Sequence, residues 1–141
     1  MTAKRGLVLD ANILIRAIFG KHVRRLIDSS NEHILLCCPD LCFEETLRHI
    51  PVISERRMFN AGVAFRNFEE VAQLVEPVDL SAYSAFREPA RQRIARRDPD
   101  DWPVVAVSLM LQLPIWTEDL DFFGIGIATW KSELVELHFQ P

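Results

Sequence analysis

Short, wholly apolar runs alternate along this chain with longer stretches of helical periodicity, and that alternation leaves few folds open. Leu7-Val8-Leu9 is one such run, and it ends abruptly in Asp10. Consecutive apolar residues without polar alternation describe a strand buried on both faces, as in parallel sheets. Asn12 to Phe19 then carries apolar residues at helical spacing, with Gly20 to close it. His33 to Cys38 reads as a second buried strand, and Pro39-Asp40 opens a helix that Pro51 is expected to end. Ser54 is a candidate cap for a longer helix reaching about Leu74. Ser81 opens another helical stretch, in which Pro89 kinks the chain or starts a new helix. Pro114 to Thr117 reads as a strand, Ile127 to Trp130 as a last short one, and Ser132 to Leu137 as a terminal helix. Strands alternating with helices predict an α/β domain around a parallel sheet.

A length of 141 residues predicts a single domain, residues 1–141, and 49% hydrophobic residues supply one core. No apolar stretch approaches the roughly 20 residues of a membrane span. The segment Met1 to Gly6 has the charge of a signal-peptide start, but Asp10, Asn12 and Arg16 interrupt the apolar stretch behind it, so a cytoplasmic protein is expected. Cys37, Cys38 and Cys42 form no CxxC pair, which argues for packing rather than a disulfide framework or zinc knuckles.

The net charge of −4 is a poor fit to a nucleic-acid enzyme until its distribution is considered. Six acids and no Lys or Arg fall between Asp98 and Asp121, so the remaining 14 acids and 16 bases carry +2. The acidity is local, and divalent cations would neutralise it.

Each acid has an ordinary structural explanation. Asp10 suits an N-cap for the helix behind it. Glu44 stands four residues before Arg48, a favourable surface pair, whereas Glu45 projects from a different side of the same helix, between Leu41 and Cys42. Asp98, Asp100 and Asp101 precede a helix start, where one acid caps and three exceed what capping requires. Asp119 and Asp121 lie in a turn beside Thr117, whose hydroxyl can donate to a carboxylate. The set is harder to explain than its members. In a parallel sheet, sites gather at the carboxyl ends of strands, and Asp10 and Asp119 both follow strands. Crowded carboxylates repel, and hard cations such as Mg²⁺ or Mn²⁺ relieve the repulsion and activate water for phosphodiester hydrolysis.

Other chemistries fit less well. Dinucleotide and Walker phosphate loops, an HExxH zinc motif and a GxSxG elbow are all absent from the sequence. Asp10-Ala11-Asn12-Ile13-Leu14 begins like a phosphatase aspartate loop, yet Asn12 and Leu14 replace the expected Asp and Thr.

Taken in order, Leu7 to Asn12, Pro39 to Pro51, Asp101 to Ala106 and Thr117-Glu118-Asp119-Leu120-Asp121-Phe122-Phe123-Gly124 resemble a PIN domain over nearly the whole chain. The segment from Pro114 to Phe123 is similar to the bacterial PilT N-terminus and VapC-type group. The resemblance implies a single-domain, three-layer α/β/α fold with a central parallel sheet, and acids that bind Mg²⁺ or Mn²⁺ to cleave single-stranded RNA. By motif position the acids are Asp10, Glu45, Asp101 and Asp119, with Asp121 an auxiliary ligand and Asn12 and Thr117 orienting the carboxylates. It extends to a toxin role, with a small antitoxin protein and a second copy of the chain as the partners such a role allows. The alternatives are a non-catalytic PIN-like module that binds RNA or protein, disfavoured by retention of the acids, and a metal-dependent phosphatase of another α/β family. Among the arginines just before the acidic run, Arg91, Arg96 and Arg97 are the candidates for contact with RNA phosphates, against the simpler reading of a solvated helix.

Overall fold

The computed structural model describes residues 5–140; Met1 to Lys4, which open the basic leading segment, and Pro141 lie outside them. Five strands form one sheet, all neighbours parallel: β1 (Gly6–Leu9), β2 (Leu35–Pro39), β3 (Glu76–Val78), β4 (Ile115–Trp116) and β5 (Thr129–Trp130). The order across the sheet is β3-β2-β1-β4-β5. Leu7, Val8 and Leu9 are inaccessible to solvent, as an apolar central strand requires. The chain therefore starts in the middle, builds outward on one side to β3, and returns to build β4 and β5 on the other. β1 and β4 flank the point where the direction of winding reverses. In open α/β sheets the crevice at the carboxyl ends of such strands is where ligands are held.

Helices cover both faces. α1 (Ala11–Phe19), α2 (His22–Ser30), α3 (Asp40–Arg56) and α4 (Ala61–Leu74) pack among themselves. α5 (Leu80–Tyr83), α6 (Arg87–Ile94) and α7 (Trp102–Leu111) form a second group, in which α7 lies against β1, β2 and β4. A short α8 (Glu136–Phe139) follows β5. This is the three-layer α/β/α arrangement expected. No helix among the described residues is long and apolar enough to cross a membrane.

Several boundaries differ from the sequence expectation for identifiable reasons. α3 does not stop at Pro51 but runs through it to Arg56. Ile50 is wholly buried with Ile18 and Ala64, so packing against α1 and α4 carries the helix past a residue that breaks one of its hydrogen bonds. Ser54 is consequently no cap: it is buried inside α3, and α4 begins instead behind Asn60, whose side chain accepts from the Val63 amide at 3.0 Å. Gly20 does close α1, but in extended backbone; the left-handed cap belongs to Gln112, at φ 56°, which ends α7. α7 is buried continuously from Trp102 to Ser108, because sheet and α6 enclose it. All three cysteines are buried and unpaired.

Pro51 is exposed within α3 and leaves that helix without the amide its turn would use. Pro51→Ala should therefore raise stability, by up to about 3 kcal/mol, in urea unfolding. A lower midpoint with an unchanged slope would mean that the proline conformation is needed for the packing of α3.

Candidate active site

Asp10 follows β1 directly, at the N-cap of α1, and is 7% exposed. Its Oδ1 accepts from the Ala11 amide at 2.7 Å. Its Oδ2 accepts from Asn12 Nδ2 at 2.7 Å and from the Thr117 hydroxyl at 2.9 Å. Thr117 Oγ1 in turn accepts from Asn12 Nδ2 at 2.9 Å and from the Asp119 amide at 3.0 Å. Asn12 completes the knot by accepting from the Glu118 amide at 3.1 Å. A buried carboxylate needs such donors. The same bonds tie the end of β1 to the loop after β4, so Asn12 and Thr117 orient Asp10 and Asp119.

Asp101 stands at the N-cap position of α7, yet its side chain makes no cap bond. The nearby capping is done by Asp98, which accepts from the Asp100 amide at 3.0 Å. Among the described residues, Asp101 Oδ2 is buried with no hydrogen-bond partner. A lone buried carboxylate oxygen is costly, and its position explains what it lacks. Oxygens of Asp101, Asp119 and Asp121 lie within 4.8 Å of one another, an all-oxygen donor set suited to a hard divalent cation. Asp119 Oδ1 also accepts from the Asp121 amide at 2.9 Å, and Asp121 approaches Arg97 at 3.8 Å.

Glu45 and Asp10 stand outside that tight triad but border the same depression. An inner groove of about 550 Å³ is lined by Asp10, Asn12, Glu45, Asp101 and Asp119 together with His49 and Arg56. An outer one of about 400 Å³ shares Asp10, Glu45 and Asp101 and adds Glu44, Arg48, Asp98 and Asp100. Glu45 thus faces both grooves, with His49 at 4.0 Å, whereas Glu44 borders only the outer one. The expected Glu44–Arg48 ion pair does not close within 4.0 Å.

Electrostatics reflect the crowding. Burial raises the Asp10 carboxyl to about 6 against the Thr117 and Ala11 hydrogen bonds, with the charges of Asp119 and Glu45 adding to the rise. Asp101 rises to about 7, first by burial and then by the charges of Asp10, Asp98, Asp119 and Glu45.

The three arginines expected to contact phosphate differ in their surroundings. Arg97 reaches the carbonyls of Leu120 and Phe123 as well as Asp121, and so braces the loop after β4. Arg91 is half-buried, while Arg96 and Arg97 are exposed. His49 and Arg56 were not among the residues expected from sequence. Their spacing from Glu45, four and eleven residues on, repeats the helical period and was the available signal.

Fold and site together define an α/β domain with a carboxylate cluster at its topological switch point. The PIN domain profile matches residues 8–140, and the chain belongs to the PIN domain family. No curated protein sequence matches it. Among solved structures it is similar to VapBC2 from Rickettsia felis bound to a DNA fragment from their promoter, with a TM-score of 0.68 and 11% identity, covering 89% of this chain and 98% of that one. It is similar also to a toxin–antitoxin complex from Klebsiella pneumoniae, with a TM-score of 0.62 and 14% identity over 89% and 97% of the two chains.

The raised carboxyls make stability depend on pH. Both values exceed the unfolded reference of about 3.9, so between about pH 4 and 7 the folded chain holds more protons than the unfolded one. Their contribution is fully present below about pH 4 and is lost as pH rises through about 6 and then 7. In chelator, the Asp101→Asn variant should show a flatter decline of melting temperature across this window than wild type. Parallel curves would remove Asp101 from the coupled group.

Proposed function

We propose that this chain is a metal-dependent endoribonuclease that hydrolyses single-stranded RNA at the acidic cluster, and that it serves as the toxin of a toxin–antitoxin pair. The observation that carries the reading is the convergence of Asp10, Glu45, Asp101 and Asp119, from four separate places in the chain, on one groove where a buried Asp101 oxygen has no partner among the described residues. Family membership supports it, and the likeness to toxin–antitoxin structures supports the toxin role.

Asp101, Asp119 and Asp121 would hold the first Mg²⁺ or Mn²⁺, with Asp10 and Glu45 facing it across the groove. When bound, the cation supplies an activated water and neutralises charge on the phosphate undergoing attack. The chain's own residues do the positioning. Thr117 and Asn12 hold the carboxylate of Asp10 and the turn that presents Asp119, so these two acids are positioned in advance of binding. Arg97 holds the loop carrying Asp121 by its carbonyls. An antitoxin that covers the groove with a basic side chain would satisfy the same carboxylates and exclude RNA.

Loss of an outer-shell partner of a metal costs about 10–100-fold, so losing a ligand should cost more than about 100-fold in RNA cleavage for Asp10→Asn, Glu45→Gln, Asp101→Asn or Asp119→Asn. Glu44→Gln should cleave near the wild-type rate. Expression of the wild type should arrest growth, and co-expressed antitoxin should restore it. Equal arrest by wild type and Asp119→Asn would contradict the toxin-nuclease reading, as would cleavage that survives chelator.

A further inference from the structure

The inner groove does not end at the carboxylates. On α3, Glu45, His49, Val52 and Arg56 stand at i, i+4, i+7 and i+11, one helical face, and all four line the groove. At 1.5 Å per residue that face leads roughly 16 Å from the level of Glu45 to that of Arg56. α1 lines the same groove with Asn12, bonded to Asp10, and Ile15, and Arg16 follows Asn12 one turn on. Asn12 and Ile15 line both the inner groove and an adjoining pocket of about 490 Å³. The other walls of that pocket include Arg16, Lys21, His22 and Arg57, and no Asp or Glu.

These side chains are exposed, and none of Arg16, Lys21 and Arg57 closes an ion pair among the described residues. The Arg57 guanidinium lies 5.6 Å from the centroid of the Phe19 ring, which Phe59 meets edge-on at 5.1 Å. The cation is thereby held at the rim. In a chain of 20 acids and net charge −4, a concavity walled by unpaired cations is a local reversal of sign, beside the most acidic feature of the molecule.

We propose that this pocket is a phosphate subsite for single-stranded RNA, holding a backbone phosphate away from the one cleaved, while Ile15, Val52 and Ile53 between the two sites take an intervening base. The inference rests on the ribonuclease reading of the acidic cluster. A polynucleotide suits the sequence of surfaces: a cation-loaded carboxylate end for one phosphate, an apolar wall for a base, and basic side chains for the next phosphate. An acidic peptide would complement only the last of these. The arrangement also fixes which way the strand lies along α3, and it replaces the arginines before α7 as the principal RNA-binding side chains.

The test uses a labelled single-stranded RNA of about 12 nucleotides, within the usual range of single-strand sites, with Mg²⁺ and the Asp119→Asn background to prevent cleavage. The combined change Arg16→Ala, Lys21→Ala and Arg57→Ala should weaken binding and lower the slope of log affinity against log salt by about 0.7 for each phosphate no longer neutralised. Arg91→Ala with Arg96→Ala should leave that slope unchanged. Lys21→Glu alone, a single exposed change, should move it in the same direction as the triple variant, which keeps the test independent of how well the triple variant folds. With Asp119 restored, the triple variant should raise KM for RNA far more than it lowers kcat. An unchanged salt slope overturns the subsite, even if cleavage persists and the nuclease reading stands. A changed slope in a chain that never cleaves RNA keeps the pocket and overturns the nuclease. Loss of binding to polyglutamate without loss of RNA binding would give the pocket to a protein partner and overturn the proposal.

Discussion

A carboxylate buried at the end of the central strand is the constraint around which the rest of the molecule is arranged. Asp10 is 7% exposed, directly behind three residues with no exposure at all. In such a place an ionised group is tolerated only when several donors meet it. They come from three directions: the first amide of α1, the side chain of Asn12 and the hydroxyl of Thr117 beyond β4. Satisfying one acid therefore joins β1, α1 and β4 at one corner. That corner is the switch point of the sheet.

The consequence is an edge that is well ordered and electrostatically uncomfortable. Hydrogen bonds hold Asp10 and the Asp119 turn rigidly, while Asp101 is brought close with one oxygen left bare. A folded chain optimised only for stability would cap α7 with Asp101 or replace it. Here Asp98 caps only the short turn before α7, and Asp101, at the N-cap position of α7, makes no cap bond. Local destabilisation of this kind, maintained by rigid surroundings, is the ordinary condition of sites that bind cations. The surrounding core, with α7 buried on every side, provides the stability against which that cost is set.

The fold was legible in the sequence where the pattern was local. Leu7-Val8-Leu9, the acids after β1 and β4, and the start of α7 were each readable from a few neighbouring residues. α2 and β3 were not recognised. β3 is three residues with a proline at its centre, exposed at the sheet edge, and carries no run of apolar residues. α2 mixes its apolar stripe of Val23, Leu26 and Ile27 with Arg24, Arg25 and Asp28 over little more than two turns. Pro51 misled because helix-breaking is a local cost and the packing of Ile50 is a tertiary gain. At the candidate site, acids could be nominated from their positions. The division of labour among Asp98, Asp100 and Asp101 could not, because it depends on which carboxylate meets an amide and which is turned away from one.

If these acids form one coupled pocket, a divalent cation relieves their mutual repulsion and must displace protons as it binds. Calorimetric titration with Mn²⁺ at about pH 6, in two buffers of different ionisation enthalpy, tests this most directly. Asp10 and Asp101, raised to about 6 and about 7, are partly protonated there, so cation binding must expel protons and the measured heat must differ between the buffers. At about pH 8 both are already ionised, and the difference should nearly vanish. Buffer-independent heats at both pH values, or no saturable binding at either, would contradict a single coupled metal pocket.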